Sequence, residues 1–198
     1  MRATVAWHPP LTMTRYLVLL RGINVGGRNK VQMAGLRELL ASHGHTKVST
    51  YIASGNVILS SDSPAATIKR KIEEALPRAF KLDSELVAVL VLTRAQLRAV
   101  VQQRPRGFGD HPETYHSDAV FLMGIDAPTA MKVFDPKPGV DAVWPGKGVI
   151  YSQRLSAQRT KSRLGKIVGT PAYKAMTIRG WTTTMALLER MEAPEADA

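Results

Sequence analysis

The feature that most constrains the fold is an order of elements, strand–helix–strand–strand–helix–strand, that can be traced twice along the chain. Apolar runs indicate the strands, and apolar residues three or four positions apart indicate the helices. This is the order of the ferredoxin-like split βαβ unit, and 198 residues are enough for two such units. We therefore predict an α+β protein built from tandem ferredoxin-like (βαββαβ) subdomains with mainly antiparallel sheets.

The first subdomain is predicted from six segments and one tight turn. Strands are predicted at 16–20, 47–52, 57–61 and 85–92, and helices at 33–42 and 63–80. Ser63 can cap the second helix, and Pro77 should end or kink it. Ser54, Gly55 and Asn56 form the turn between the two middle strands, because glycine and asparagine tolerate a positive φ.

The second subdomain follows a predicted linker. Thr93 should cap a helix that ends near Gln103, and the segment at 104–116 is rich in proline, glycine and charge, as linkers often are. Beyond it, strands are predicted at 119–123, 140–144, 149–152 and 174–178, and helices at 128–134, 160–168 and 183–191. The predicted division is therefore 13–93, a helix and linker at 94–116, and 117–191 with a terminal helix.

The ends and the composition of the chain indicate where the protein resides. No apolar run approaches the ~20 residues of a membrane helix, and residues 1–12 hold no apolar segment of signal-peptide length. The strand pattern starts only at Arg15, so Met13 can be the natural start and 1–12 a poorly ordered extension. The absence of cysteine excludes disulfides, cysteine-ligated zinc and thiol catalysis. We expect a cytoplasmic protein without a membrane partner.

Positive charge is concentrated in the second half of the chain. The net charge is +11, and no Asp or Glu occurs from Ala142 to Leu188. This segment contains eight basic residues: Lys147, Arg154, Arg159, Lys161, Arg163, Lys166, Lys174 and Arg179. A segment of one sign should attract an anion, with an attraction that weakens in salt. The alternative is a basic solvated surface without a specific partner, since charge alone gives only non-specific attraction.

Two sequence motifs resemble those of a known family. Residues 21–27 read RGINVGG, and residues 51–57 read YIASGNV. Both resemble N-terminal hallmarks of the domain of unknown function family 1697 (DUF1697), and the resemblance extends to Met191. The segment at 179–182 resembles the family's C-terminal hallmark Arg-Asn-Trp-Asn, with both asparagines replaced. The resemblance implies a ferredoxin-like fold, but no established activity, cofactor or catalytic residue.

The two N-terminal motifs should lie side by side in this fold. A helix crosses between the first two strands, so these strands run parallel and their carboxyl ends share one edge of the sheet. Free backbone N–H groups and the start of the first helix favour an anion there. We predict a phosphate or carboxylate cradle made by Asn24, Gly26, Gly27, Ser54 and Asn56, with Arg21, Arg28 and Lys30 nearby.

An architectural interpretation of the same loop stays open beside the cradle. In it, the glycines serve turns, and Asn24 and Asn56 brace the loops by side-chain hydrogen bonds. The loop is not a nucleotide P-loop, because Arg28 and Asn29 stand where Lys and Ser or Thr are needed.

A second candidate site follows from the same geometry in the second half. The start of its second helix and the end of its last strand share an edge, which should bring Arg159 and Lys161 towards Arg179 and Trp181. A basic cluster beside an indole can hold a base or a phosphate. The alternative, which we prefer for Trp181, is that its ring packs in the core between the last strand and the last helix.

No metal, cofactor or catalytic group is predicted. His111, His116, Asp110 and Asp118 fall in the predicted linker, and their spacing matches no defined metal site. The preferred function is a basic binding module for nucleic acid or another phosphate-bearing partner, although the strands carry no aromatic RNA-binding motif. One alternative is an enzyme acting on a small anionic substrate at the RGINVGG/SGN edge, although no general base or nucleophile is identifiable. A structural or interaction protein is the third possibility.

Overall fold

The computed structural model describes residues 13–83 and 87–194, and within these residues it contains two four-stranded sheets. The first sheet consists of β1 (Thr14–Arg21), β2 (Thr46–Tyr51), β3 (Asn56–Ser61) and β4 (Ala88–Thr93). Its strand order is β2-β3-β1-β4, and all neighbours are antiparallel. The predicted ferredoxin-like topology of the first half is therefore confirmed. The extension predicted at 1–12 and the start of the strand predicted at 85–92 lie outside the described residues.

Two helices, α1 (Met33–Ser42) and α2 (Ala65–Ala79), cover one face of this sheet. Their apolar residues form one core with alternate residues of the strands, among them Val18 and Leu20 of β1. The helix α2 starts after Pro64 without a side-chain cap, so the predicted capping by Ser63 is wrong. Pro can occupy that position because its missing N–H would have no acceptor at a helix start. Pro77 lies inside the last turn of the helix, which continues two residues beyond it to Ala79, so the proline does not itself end the helix.

The helix α3 (Arg94–Gln102) follows β4 directly and starts with the predicted cap. Thr93 Oγ1 accepts a hydrogen bond from the N–H of Gln96 at 3.2 Å, and the Gln96 side chain accepts one from the N–H of Thr93 at 2.8 Å. This reciprocal pair satisfies two N–H groups that would otherwise lack acceptors at the helix start.

The second sheet repeats the topology of the first. It consists of β5 (Tyr115–Leu122), β6 (Asp141–Gly146), β7 (Val149–Leu155) and β8 (Met176–Gly180), in the order β6-β7-β5-β8. The helix α4 (Ala127–Met131) follows β5, and α5 (Trp181–Glu192) follows β8. The predicted linker is too long, because pairing with β7 starts at Tyr115. His116 and Asp118 therefore lie in a strand and not in the linker.

The helix predicted at 160–168 is wrong. Three short 3₁₀ helices, Ser156–Lys161, Leu164–Gly169 and Pro171–Ala175, occupy this part of the chain, which we call the 3₁₀ segment. Only Leu164 and Ile167 are buried in the second of them, and their spacing of three residues suits a 3₁₀ turn. Glycine, serine and proline elsewhere in the segment oppose a longer α-helix. Because the third 3₁₀ helix extends to Ala175, β8 starts at Met176, two residues later than the strand predicted at 174–178.

One central core joins the two subdomains. The inner faces of both sheets contribute to it, and α3 and α5 pack between them. Its aromatic centre contains Phe108, Tyr151 and Trp181, whose rings meet edge to face with centroids 5.0–6.4 Å apart. Trp181 is 7% exposed, so the interpretation of this indole as a core residue is confirmed. Among the described residues, no helix combines the length and the apolar character needed to cross a membrane.

Candidate functional site

The RGINVGG loop is a tight hairpin with glycines at its tip. The N–H of Arg28 donates to the carbonyl of Val25 at 3.0 Å, which closes a four-residue turn. Gly26 and Gly27 at its centre have φ values of 57° and 77°. Positive φ at both central residues defines a type I′ turn, which is the reason for two glycines. A Cβ at either position would meet no atom within 4 Å, so the requirement is conformational and not steric.

Asn24 connects this hairpin to the SGN turn. Its Nδ2 donates to the carbonyl of Val31 at 2.9 Å and to that of Ala53 at 2.8 Å, and its Oδ1 accepts from the N–H of Val31 at 2.9 Å. The two N-terminal motifs therefore lie at one edge of the first sheet, as predicted. Because both amide donors of Asn24 are used within the protein, its role here is that of a brace.

A second asparagine, which the sequence analysis did not single out, closes the hairpin at its base. Asn29 is 4% exposed, and its Nδ2 donates to the carbonyl of Gly22 at 2.7 Å. It also exchanges two hydrogen bonds of 2.7 Å with Asp83, one from each backbone N–H. The sequence signal was the pair of asparagines flanking the glycines, each of which adopts a positive φ. The hairpin is consequently held at both sides and presents its tip as a rigid projection.

Arg179 links the SGN turn to the second subdomain. Its Nε donates to Asn56 Oδ1 at 2.5 Å, and its Nη2 donates to the carbonyls of Leu20 and Ser54 at 2.9 and 3.0 Å. Its Nη1 donates to Thr177 Oγ1 and to a backbone carbonyl. All five N–H groups of the guanidinium are thus used, and the three bonds that cross between the subdomains fix their relative orientation.

Burial changes the electrostatics of this arginine. The side chain is 8% exposed, and burial lowers the pKa of Arg179 to about 10, so that it stays charged at neutral pH. Asn56, which is fully buried, donates its Nδ2 to Ser54 Oγ and to the carbonyl of Tyr51. Ser54, Asn56 and Arg179 therefore form one buried polar network. A ligand-binding role for these three residues stays a prediction, and their hydrogen bonds favour the architectural interpretation.

The predicted cluster of Arg159, Lys161, Arg179 and Trp181 does not form around Arg179. The Arg179 side chain extends to the first sheet, whereas Arg159 and Lys161 lie on the exposed first helix of the 3₁₀ segment. The reason is that the carbonyls at the ends of β1 and of the SGN turn are buried and need donors. Arg179 supplies them across the boundary between the subdomains, which the analysis of each half alone could not show.

Arg21 makes a second link across the same boundary. Its Nε donates to the carbonyl of Met176 at 2.9 Å, and its guanidinium lies 5.1 Å from the ring centroid of Tyr173. Tyr173 belongs to the third helix of the 3₁₀ segment and was not predicted as a site residue. The contact brings that helix beside the start of the RGINVGG hairpin. The hydrogen bond from Asn29 to the carbonyl of Gly22 holds residues 28–30 close to the same place.

Three exposed cations belong to the two segments that this contact joins, and we call them the seam patch: Arg28, Lys30 and Lys174. Arg28 and Lys30 flank the base of the hairpin, and Lys174 follows Tyr173. Within the described residues, none of the three makes an ion pair or a side-chain hydrogen bond. Their charges are therefore available to a partner, in contrast to those of Arg21 and Arg179.

Ion pairs with acidic residues neutralise part of the positive charge in the second half of the chain. Arg154 lies 3.6 Å from an Asp118 oxygen, and both Arg163 and Lys166 lie 3.3 Å from Asp135. With Arg179 buried, four of the eight basic residues at 142–188 are paired or inaccessible. The other four are exposed: Lys147, Arg159, Lys161 and Lys174. The sequence showed the excess of charge but not which charges would be neutralised by acids outside the segment.

Comparisons with known proteins agree with this architecture. Residues 13–151 match the family described as "Protein of unknown function (DUF1697)". The fold is similar to that of a conserved bacterial protein from Streptococcus pneumoniae, with a TM-score of 0.78 and 28% identity, over 91% of this chain and 100% of that chain. A comparison with curated proteins finds no match.

Proposed function

Because the chain belongs to the DUF1697 family, whose description assigns no activity, we propose a function from the geometry. We propose that the protein is a cytoplasmic binding module for nucleic acid or another phosphate-bearing polymer. The observation that carries this proposal is the seam patch, three exposed cations without acidic partners beside a rigid hairpin. Arg159 and Lys161 extend the exposed positive charge along the 3₁₀ segment.

The physical basis is the release of counterions from a polyanion. Lysine and arginine side chains that approach phosphates displace condensed cations, and the affinity then depends steeply on salt. The charges of the seam patch are suited to this because none of them is engaged in an ion pair among the described residues; the nearest acidic group along the hairpin, the Asp83 carboxylate, is used by the N–H of Asn29. The net charge of +11 adds a long-range attraction that brings the polyanion to the surface.

Exposed aliphatic residues at the hairpin tip and beside the SGN turn support a binding role for this edge. Val25 is 67% exposed and Ile52 is 53% exposed, and Ile52 holds a φ of 48°, which is unfavourable for a β-branched residue. The hydrogen bond from Asn24 to Ala53 holds the neighbouring residue in place. Exposed aliphatic side chains on a rigid, strained edge next to free cations can contact the sugar and base portions of a polymer.

The test is a salt series of binding to a fluorescent single-stranded oligonucleotide, followed by anisotropy. The variant K30Q/K174Q removes one cation from each side of the seam. Each phosphate contact contributes roughly 0.7–0.9 to the slope of log affinity against log salt, so the slope should fall by about 1.4–1.8. The variant R159Q/K161Q should reduce it similarly if the surface extends along the 3₁₀ segment.

A matched control removes the same charge elsewhere. K69Q/R70Q takes two charges from α2, where Glu73 and Glu74 lie one turn away and pair with them. This variant should bind with a slope close to that of the unmodified protein. Equal losses for K69Q/R70Q and K30Q/K174Q would mean that only net charge matters, and the seam patch would then not be a binding surface.

The alternative function, an enzyme for a small anionic substrate at the RGINVGG/SGN edge, has less support. The amide side chains predicted to contact such a substrate, those of Asn24 and Asn56, use their donors within the protein. We therefore do not propose it as the main function.

A further inference from the structure

A cavity of about 490 Å³ lies where the edge of the first sheet, α3 and the second sheet meet. Its walls come from β4, from α3, from the end of β5 and from the turn between β6 and β7. The apolar residues that line it include Leu90, Leu92, Ala95, Ala99, Val100 and Phe121. A mostly apolar cavity of this volume with a few polar groups is typical of a small-molecule site.

Small side chains of α3 leave apolar surface open in this cavity. Ala95 and Ala99 lie one turn apart and line the cavity from the side of α3. From the side of β4, Leu90 and Leu92 pack against the central core but are only partly buried. Removing such exposed apolar surface from water is favourable, so an aliphatic ligand would be stabilised here.

The two polar side chains of the cavity both have donors to offer. Lys147 is exposed at the turn between β6 and β7, and it is the only charged residue among the described residues that line the cavity. It makes no ion pair or hydrogen bond within the described part of the chain. Gln96 uses its Oε1 to accept from the N–H and the hydroxyl of Thr93, while its Nε2 donates to no described group. These side chains favour a ligand whose polar end is negatively charged and accepts hydrogen bonds.

The edge of β4 beside the cavity is poorly suited to an added strand. Along an antiparallel strand every second N–H points away from the neighbouring strand. The N–H of Val89 points outward to Glu73 Oε1 at 3.0 Å, and the N–H of Thr93 donates to Gln96 Oε1 at 2.8 Å. Between these two positions only Val91 has an outward N–H without a partner in the described chain. A peptide strand or a second copy would therefore find one donor where a ladder needs several, and a compact ligand fits this place better.

We propose that this cavity binds a small amphipathic acid, an aliphatic chain that ends in a carboxylate. The chain packs against Leu90, Leu92 and Phe121, and the carboxylate accepts hydrogen bonds from Lys147 Nζ and Gln96 Nε2. This site goes beyond the binding of a phosphate-bearing polymer, because the cavity is too small for a polymer and shares no residue with the seam patch. The two sites can therefore be tested independently.

The experiment is an NMR titration of the full chain with octanoate, and with octan-1-ol as an uncharged probe of the same chain length. We expect one saturable site, with shifts of the amides of Leu90, Leu92, Ala99 and Gly148. K147Q should weaken octanoate binding roughly tenfold, which is the loss expected for one hydrogen bond to a charged group, and should leave octanol binding unchanged. A99L fills the cavity and should abolish the binding of both probes.

Matched controls separate the cavity from general effects of charge and stability. K161Q removes another exposed lysine of the second subdomain, and A34L makes the same change as A99L at an exposed alanine of α1. Neither should alter octanoate binding. K30Q/K174Q should weaken oligonucleotide binding but leave octanoate binding unchanged. A thermal melt shows that each variant is folded, and K147Q should melt like the unmodified protein because the position is exposed.

Three results would overturn the proposal. The first is octanoate binding by K147Q that is as tight as binding by the unmodified protein. The second is a set of shifts that does not saturate or that is absent from β4 and α3. The third is a dimer in sedimentation whose formation shifts the same amides, since a second copy of the chain would then occupy the cavity.

Discussion

Replacing Arg179 by methionine should destabilise the protein far more than the same change at an exposed arginine. Arg179 donates five hydrogen bonds, and three of the acceptors, Asn56 Oδ1 and the carbonyls of Leu20 and Ser54, lie across the subdomain boundary. Methionine retains much of the apolar stem but supplies no donor. Leaving a buried acceptor without its donor costs about 1–3 kcal/mol, and R179M strands at least three acceptors, so we expect the free energy of unfolding to fall by about 3 kcal/mol or more.

The measurement is urea unfolding followed by tryptophan fluorescence, which reports on the central core because Trp181 lies within it. R37M is the control, since Arg37 is exposed and donates one hydrogen bond, to Thr50. Its loss should stay below about 1 kcal/mol. R179K tests geometry separately from charge: an ammonium cannot reach acceptors arranged around a planar guanidinium, so it should recover only part of the stability.

A double-mutant cycle identifies the contact that matters. The coupling between R179M and N56A should reach about 1–3 kcal/mol, because the two side chains touch across the boundary. A decrease for R179M no larger than that for R37M, or a coupling near zero, would refute the view that this arginine holds the subdomains together.

Three further changes test other parts of the structure. G109A should be severely destabilising, because its Cβ would lie 2.2 Å from the Trp181 ring, whereas G107A, with a similar φ but open space, should cost about 1 kcal/mol in a thermal melt. Burial lowers the pKa of His45, so stability should fall as the pH drops below about 6.5, and H45L should flatten that dependence in urea unfolding at several pH values. N24A should lower stability by about 1–3 kcal/mol while leaving oligonucleotide affinity of the folded protein unchanged, and a variant that melts normally would contradict the bracing role.

Local patterns were sufficient to predict most of the elements. The helix at 33–42 has the predicted bounds, and Thr93 caps α3 as its sequence indicates. Both cases depend on residues within one turn of each other, so a short window contains the relevant information. The order of strands follows from the repeated βαββαβ pattern, because the chirality and length of the connections leave few other topologies.

The 3₁₀ segment and the partners of Arg179 could not be predicted in the same way. Leu164 and Ile167 are compatible with either a helix or a 3₁₀ turn, and packing against the second sheet decides between them. Arg179 had the sequence environment of a surface cation in a basic segment. Its burial depends on carbonyls 125 and more positions away, at Ser54 and Leu20. Contacts of that separation exist only once the two subdomains have docked.

The same contacts bear on what the family motifs can say about function. The asparagines of the RGINVGG and SGN motifs, Asn24 and Asn56, are used to fix loops, and Arg179 is used to join the subdomains. The motifs therefore specify the shape of an edge rather than a set of ligand contacts. Groups left for a partner are the hairpin tip and the three flanking cations, Arg28, Lys30 and Lys174, all of which lie outside the motifs. Function should consequently be tested first by variants of these flanking residues, since changes at the motif asparagines act on stability.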